Sequence, residues 1–306
     1  MTKKNSFKRL LVLVGFLLHP KTGNFSRLFT YIKVVRNWPE YILYRVGVID
    51  QKKPIYLILR NGQKIRFKLG EEGQFRYYTF KNLLEKGGFL IKKINKTEYL
   101  LTNRDLKILT PLENLSVIYA NFLRGEYKSL DTKQKIVVDI GANIGDTPLY
   151  FLKKGAMQVI AFEPNNVAFN FLVKNIKLNH LQNKCIAIRA AVGTKSEYVK
   201  IKSGQFSLFS SVKNIKNGLK TKIFTLDEII KRFNLKDAVL KIDIEGREES
   251  VINKSSIKTL RAFGQIIIES NSKSVKEKLK LAGFKVKNPF LHPDIIYAVR
   301  SKELTA

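Results

Sequence analysis

Between Ile136 and Glu163 the chain runs IVVDIGANIGDTPLYFLKKGAMQVIAFE. An apolar strand ends in Asp139, passes through a turn holding Gly141, Asn143 and Gly145, enters a helix, and returns as a second apolar strand ending at Glu163. That pattern is a β-α-β unit, and it commits the chain to a parallel sheet covered by helices. Gly141 permits a turn that a side chain would obstruct, and Gly145 lets the helix begin close to both ligand and sheet. Asp146 or Thr147 is expected to cap this helix, and Pro148 suits its first turn. Glu163 closes the second strand, where a carboxylate can accept both hydroxyls of a ribose. The unit is built to hold a nucleoside-bearing cofactor at the carboxyl ends of its strands.

A dinucleotide fingerprint would need glycines at 143 and 146, so that backbone amides could approach a pyrophosphate. The chain has Asn143 and Asp146 there, an amide and an added anion. A ligand without phosphate, carrying an amino-acid end and a positive centre, tolerates Asp139 and Asp146. S-adenosylmethionine fits that description, with an ordinary α/β unit and a tight turn as the other reading. The candidate cofactor contacts are Asp139, Gly141, Ala142, Asn143, Gly145, Asp146, Glu163 and Asp243.

The segments VVDIGANIGDTPLYFLKKGA, AFEPNN, FTLDEII and KIDIEGREESVI follow in this order. Together they resemble the FkbM family of S-adenosylmethionine-dependent methyltransferases, from about Lys135 to about Ser270. The resemblance implies a class I methyltransferase (Rossmann-like) fold and methylation of a hydroxyl on a sugar or polyketide-type product. Family members often carry a histidine near the strand that ends in glutamate. Here Ile268-Glu269-Ser270-Asn271 has none.

With 306 residues, 44% hydrophobic and 11% aromatic, the chain can bury one large core or two modest ones. Its formal charge of +31 is the compositional outlier. The excess of basic side chains is spread over both halves, with no basic tail. Such a surface attracts polyanions such as RNA, phosphorylated carriers or acidic headgroups, while a uniformly lysine-rich background explains it equally well. Cys185 is the only cysteine, so no intrachain disulfide forms, and its apolar surroundings point to core packing. Lys3, Lys4, Lys8 and Arg9 precede nine apolar residues, Leu10 to Leu18, too few for a spanning helix, which needs about 20. His19-Pro20-Lys21 follows in place of a small-residue cleavage site, so this segment reads as a buried or membrane-surface helix. The expected localisation is cytoplasmic, with peripheral contact at the inner membrane face.

Residues 1–130 read as a basic α+β accessory domain that presents substrate, and 131–306 as the S-adenosylmethionine-binding domain. In the first, Phe25, Leu28, Phe29 and Ile32 share a helical face. IYLILR-NG-QKIRFKL reads as a hairpin with a two-residue Asn61-Gly62 turn, and Lys64, Arg66 and Lys68 form its cationic face. EYLLTNRDLKIL repeats that pattern with a turn at Asn103–Asp105, and Leu112 to Tyr127 reads as a helix. In the second, Phe169–Leu178, Leu226–Phe233 and Ser274–Leu281 read as helices. Thr225 and Glu228 form a capping box, and Gly283 follows the last helix. Lys184–Val192, Tyr198–Ile201, Val239–Ile244, Gln265–Glu269, Phe284–Val286 and Ile295–Val299 read as strands. The result is a doubly wound α/β sheet of about seven strands, mostly parallel.

Methyl transfer to an alcohol requires alignment of the acceptor oxygen and removal of its proton. Candidate catalytic residues therefore sit at strand ends on the cofactor rim: Asp243, Glu245 and Glu269. Asp243 and Glu245 share one side of their strand end, though both can instead cap the following helix. Three carboxylates also make Mg²⁺ possible, but no ligand set indicates it and no metal is assigned. His292, before Pro293, reads as a turn residue. The acceptor is expected to be a sugar, glycolipid or other hydroxyl-bearing metabolite, with an anionic membrane surface as a further partner. RNA is the less favoured acceptor, because no base-methylating Asn/Asp-Pro-Pro-Tyr motif follows the 239–244 strand. A non-catalytic cofactor-binding protein is the third reading, opposed by intact Gly141, Asn143, Gly145 and Glu163.

Overall fold

In a computed structural model the chain divides into two compact units, Met1–Thr97 and Glu98–Ala306. The structure describes residues 36–45, 48–50, 52–58, 64–67, 79, 82–83, 86–95, 97–111, 114–201, 218–244, 246–288 and 294–300. The expected helices at Leu10–Leu18 and Phe25–Ile32, together with Lys68, Glu245 and His292, lie outside these residues.

The first unit contains helix α1 (Trp38–Arg45) and strands β1 (Ile55–Ile58), β2 (Lys64–Phe67) and β3 (Leu90–Lys93). The β1 and β2 strands pair antiparallel as expected, with Ile58 opposite Lys64. The expected Asn61-Gly62 turn between them lies outside the described residues.

The second unit opens with a hairpin of β4 (Glu98–Thr102) and β5 (Lys107–Pro111), then helix α2 (Leu115–Tyr119) and a π-turn at Ala120–Arg124. The hairpin turn lies where expected, and the side chain of Asn103 accepts the Asp105 N–H at 3.0 Å. The single helix expected over Leu112–Tyr127 is a correction. The α-helical part ends at Tyr119, the backbone widens into the π-turn, and Gly125, at φ +66°, terminates it in the left-handed region.

Strand β6 (Ile136–Ile140), helix α3 (Asp146–Lys153), strand β7 (Gln158–Phe162), helix α4 (Asn166–Leu178) and strand β8 (Cys185–Ile188) follow. The expected Lys184–Val192 strand is split. Its end forms β9 (Ala191–Val192), which leaves the main sheet to join β10 (Glu197–Ile201) and β11 (Leu219–Phe224). The remaining elements are α5 (Leu226–Phe233), β12 (Ala238–Ile242), α6 (Glu248–Lys254), α7 (Ile257–Leu260), β13 (Phe263–Glu269), α8 (Lys273–Leu281), β14 (Phe284–Lys287) and β15 (Ile295–Arg300). Thr225 and Glu228 form the capping box of α5 in both directions.

The main sheet has seven strands in the order β14-β15-β13-β12-β6-β7-β8, with β15 antiparallel to both its neighbours and the other pairs parallel. The chain starts at the centre with β6, winds outward to β8, then crosses back to β12 and outward again. The switch point therefore falls between β6 and β12, where the strand ends open a crevice. Val138, Ile140, Leu240, Ile242, Ile266 and Ile268 share one buried face of the sheet and join one core with Phe162 and Phe224. Truncating one of these leucines or isoleucines to alanine would cost about 2–5 kcal/mol. Cys185 is buried as well, and burial pushes its thiol up to about 12. Among the described residues no helix is long and apolar enough to cross a membrane.

Helix α4 is tied to the β5 edge by two side-chain amides. Asn175 accepts the Leu109 N–H at 2.6 Å and donates to the Leu109 carbonyl at 2.9 Å. Asn179 does the same for Lys107, at 2.9 and 2.6 Å. One helical turn of four residues rises about 6 Å and two strand residues about 6.8 Å, so the spacings match and the amides act as a surrogate strand. Asn175 also donates to the Ile144 carbonyl at 2.8 Å, which connects the hairpin to the glycine turn.

A cleft at the switch point

The turn after β6 is shaped by crowding. Gly141 has φ +83°, and a Cβ there would lie 1.8 Å from the carbonyl oxygen of Asp243. The strand ends of β6 and β12 thus meet with no room for a side chain. The N–H groups of Gly141 and Ala142 both donate to the Phe162 carbonyl at 3.0 Å. Asn143 holds a left-handed φ of +48°, and its own N–H donates to Glu163 at 2.9 Å. The second Glu163 oxygen accepts the Asn165 N–H at 2.7 Å. Burial pushes the Glu163 carboxyl up to about 7, while these two N–H groups oppose the shift.

The expected caps of α3 are a correction. Gly145, at φ +90°, occupies the cap position, and no side chain caps the helix. Asp146 and Thr147 are drawn into the site. Asn121 of the π-turn donates to Asp146, and the Thr147 hydroxyl donates to Asp139. The other oxygen of Asp146 is buried with no hydrogen-bond partner, and burial pushes this carboxyl up to about 7, against the pull of Lys241.

Sequence reasoning passed over Lys241, whose side chain is only 1% exposed. It stands opposite Asp139 in the parallel β6–β12 register, and its Nζ lies 3.0 Å from Asp139 Oδ1. The same Nζ donates to the Gly141 carbonyl at 2.6 Å and lies 3.7 Å from Asp243 Oδ2. Burial opposes its charge, but Asp139 and Asp243 outweigh that and hold the ammonium well above the ordinary lysine range. The signal was present as the one charge inside the apolar run Ala238–Ile242.

Asp243 follows β12 and its side chain is 28% exposed at the cleft. It does not cap α6. No side chain caps that helix; Glu248, its first residue, instead accepts the Ile244 and Gly246 N–H groups of the preceding loop at 2.7 and 2.9 Å. The segment after the π-turn supplies the opposite wall. The Tyr127 hydroxyl donates to Asp243 in a long contact of 3.4 Å, across 116 residues of sequence. Burial, and then the charge of Asp243, raise the Tyr127 phenol well above its usual range, so it stays protonated. Glu126 lines the same cleft, and its carboxyl is raised by burial and by Asp243. No local motif marks Asn121, Glu126 or Tyr127 in the sequence.

Of the ten candidates, Gly141, Asn143, Asp146 and Asp243 line the cleft. Asp139 lies beneath it, with its oxygens taken by Lys241 and Thr147. Ala142 and Gly145 set the path of the turn, and Glu163 stands at the end of β7. Glu269 is exposed at the end of β13, close enough for its charge to act on Tyr127. Glu245 lies outside the described residues. Among those residues no group of three or more acidic, histidine or cysteine side chains is arranged to hold a metal ion.

The residues present suit S-adenosylmethionine. Glu163 and Asp146 offer acceptors for hydroxyls and an ammonium, the second through an unpaired buried oxygen. The carboxylates also favour a sulfonium over a pyrophosphate.

The strand order, the glycine turn at the switch point and the strand-end carboxylate define a class I methyltransferase. Residues 139–300, more than half of the chain, match the Methyltransferase FkbM domain. The chain therefore belongs to the FkbM methyltransferase family.

No curated protein matches the chain. Among solved structures, TYW2 of M. jannaschii in complex with AdoMet is similar at 17% identity, over 69% of this chain and 87% of that one, with a TM-score of 0.40. The METTL16 methyltransferase domain is similar at 17% identity, over 87% and 96%, with a TM-score of 0.41. The ribosomal protein L11 methylase of Lactobacillus delbrueckii subsp. bulgaricus is similar at 14% identity, over 57% and 74%, with a TM-score of 0.36.

Proposed function

We propose that the protein is an S-adenosylmethionine-dependent O-methyltransferase acting on a hydroxyl of a sugar, glycolipid or related metabolite. The observation that carries this reading is Asp243. It is a half-buried carboxylate facing the cleft beside the glycine turn, with no capping bond to the helix that follows. S-adenosylmethionine, when bound, supplies a methyl group on a sulfonium centre. Glu163 would accept its ribose hydroxyls and Asp146 its ammonium. Asp243 would take the proton from the acceptor hydroxyl as the oxygen–methyl bond forms, and Tyr127 would keep the Asp243 carboxylate turned toward the cleft.

The test is incubation of the purified protein with methyl-labelled S-adenosylmethionine and fractionated cell glycans, lipids and RNA. Label is expected in a glycan or glycolipid fraction, and Asp243→Asn is expected to abolish it. Full transfer by Asp243→Asn would remove the base from this site.

One observation favours a second reading, methylation of RNA. The β10–β11 pair sets Tyr198, 60% exposed, opposite Lys222, and Lys200 opposite Lys220, an aromatic and cationic face of the kind that single-stranded nucleic acid uses. Label confined to RNA, with salt-sensitive RNA binding, would promote this reading. We further propose that the basic residues 1–130 bind the anionic or membrane-borne part of the acceptor.

A further inference from the structure

Lys241 occupies a place where an aliphatic side chain would be expected. Its strand is buried along its whole length, with Val239, Leu240 and Ile242 as neighbours. Burying an ammonium in a sheet interior costs several kcal/mol before its partners repay it. A charge in such a place needs a reason, and the contacts of Nζ supply one. It reaches the Gly141 carbonyl at 2.6 Å and the Ile140 carbonyl at 3.4 Å, both at the start of the glycine turn. It also approaches Asp243 at 3.7 Å, while Asp139 at 3.0 Å balances its charge.

We infer that Lys241 is a positioning residue, holding the glycine turn and the Asp243 carboxylate in one fixed arrangement from inside the sheet. This rests on the reading of that turn as the cofactor site. Lys241 borders the floor of the cleft, but with its side chain only 1% exposed and its Nζ engaged by Asp139 and Gly141 it is not placed to act on an acceptor itself. It acts through two neighbours. The Gly141 carbonyl is fixed, so the chain leaves it on the one path that lets Ala142 reach Phe162 and Asn143 reach Glu163. The tight approach of Gly141 to the Asp243 carbonyl makes the β6 and β12 ends move as one piece. Without the ammonium, nothing would draw the Gly141 carbonyl under the sheet, and the Asp243 carboxylate would lose its cationic neighbour.

Lys241→Met alone would strand the buried Asp139 charge and could unfold the protein. The comparison is therefore made in a background where that charge is absent: Asp139→Asn against Asp139→Asn/Lys241→Met. Binding of S-adenosylhomocysteine is measured by titration calorimetry well below each variant's Tm. We expect the double variant to fold and to bind at least tenfold more weakly than Asp139→Asn. A purely structural Lys241 would change Tm and leave the dissociation constants of the two variants equal, and that result would overturn the inference. Should the double variant fail to fold, Asp139→Asn/Lys241→Arg keeps the charge and is expected to bind within about threefold of Asp139→Asn, and binding tenfold weaker there would also overturn the inference. Wild-type protein that binds no S-adenosylhomocysteine at all would instead sink the cofactor reading itself.

Discussion

Glu163 accepts the backbone N–H of Asn143 at 2.9 Å, so the carboxylate at the end of β7 holds the turn at the end of β6. Burial pushes this carboxyl up to about 7, and Asp146 in the neighbouring cleft stands at about 7 as well. Each must be ionised to serve as a full acceptor for hydroxyls or an ammonium. Affinity for S-adenosylhomocysteine is therefore expected to fall, for each of the two groups, by up to about tenfold per pH unit below about pH 7. Ligand-free stability should move the other way. The folded state holds protons on these groups that the unfolded chain has released, so their contribution to stability drops as pH rises toward about 7. Calorimetry and thermal melts between about pH 5 and pH 8 check both slopes, and an affinity that is flat across this range would contradict the assignment.

Gly141→Ala is expected to be among the most damaging single-atom additions in the protein. The new Cβ would fall 1.8 Å from the Asp243 carbonyl oxygen, in a backbone region that alanine resists. A loss of more than about 4 kcal/mol is expected, together with loss of cofactor binding. Chemical denaturation measures the first and calorimetry the second.

The amide ladder supports the cleft from the far side of α4. Asn175→Ala removes three hydrogen bonds, one of them to the Ile144 carbonyl of the glycine turn. It should cost about 2–4 kcal/mol and also weaken cofactor binding. Thr225→Ala, which breaks the α5 capping box, should cost about 1 kcal/mol and leave cofactor binding intact. Equal effects of the two variants on binding would argue against a link between the hairpin and the turn.

The parts of this fold carried by local patterns were legible in the sequence. The β-α-β unit, the capping box and the Glu98–Pro111 hairpin each depend on residues close together in the chain, where periodicity and turn chemistry act directly. The walls of the cleft were not. Tyr127 meets Asp243 across 116 residues, and nothing within a few positions of either announces the other. Asp146 and Thr147 looked like caps because their side chains suit that role, but partners from the π-turn and from β6 outcompete the local helix amides. Lys241 went unread because one charge in an apolar run looks like noise until the register places it opposite Asp139.

The charge of +31 supplies a further prediction. Replacing Lys64, Arg66 and Lys68 with glutamine is expected to reduce binding to anionic liposomes, with each cation contributing about 1 kcal/mol near the surface, and to leave cofactor affinity unchanged. A flotation assay at low salt reads this directly. Absence of wild-type binding to such liposomes would end the membrane reading.

The most direct test of the whole account is competitive calorimetry of the wild-type protein with S-adenosylmethionine and NAD. Binding of S-adenosylmethionine is expected, weakened by Glu163→Ala by about 1–3 kcal/mol through lost hydroxyl acceptors. Tighter binding of NAD, or affinity for S-adenosylmethionine that is indifferent to Glu163→Ala, would contradict it.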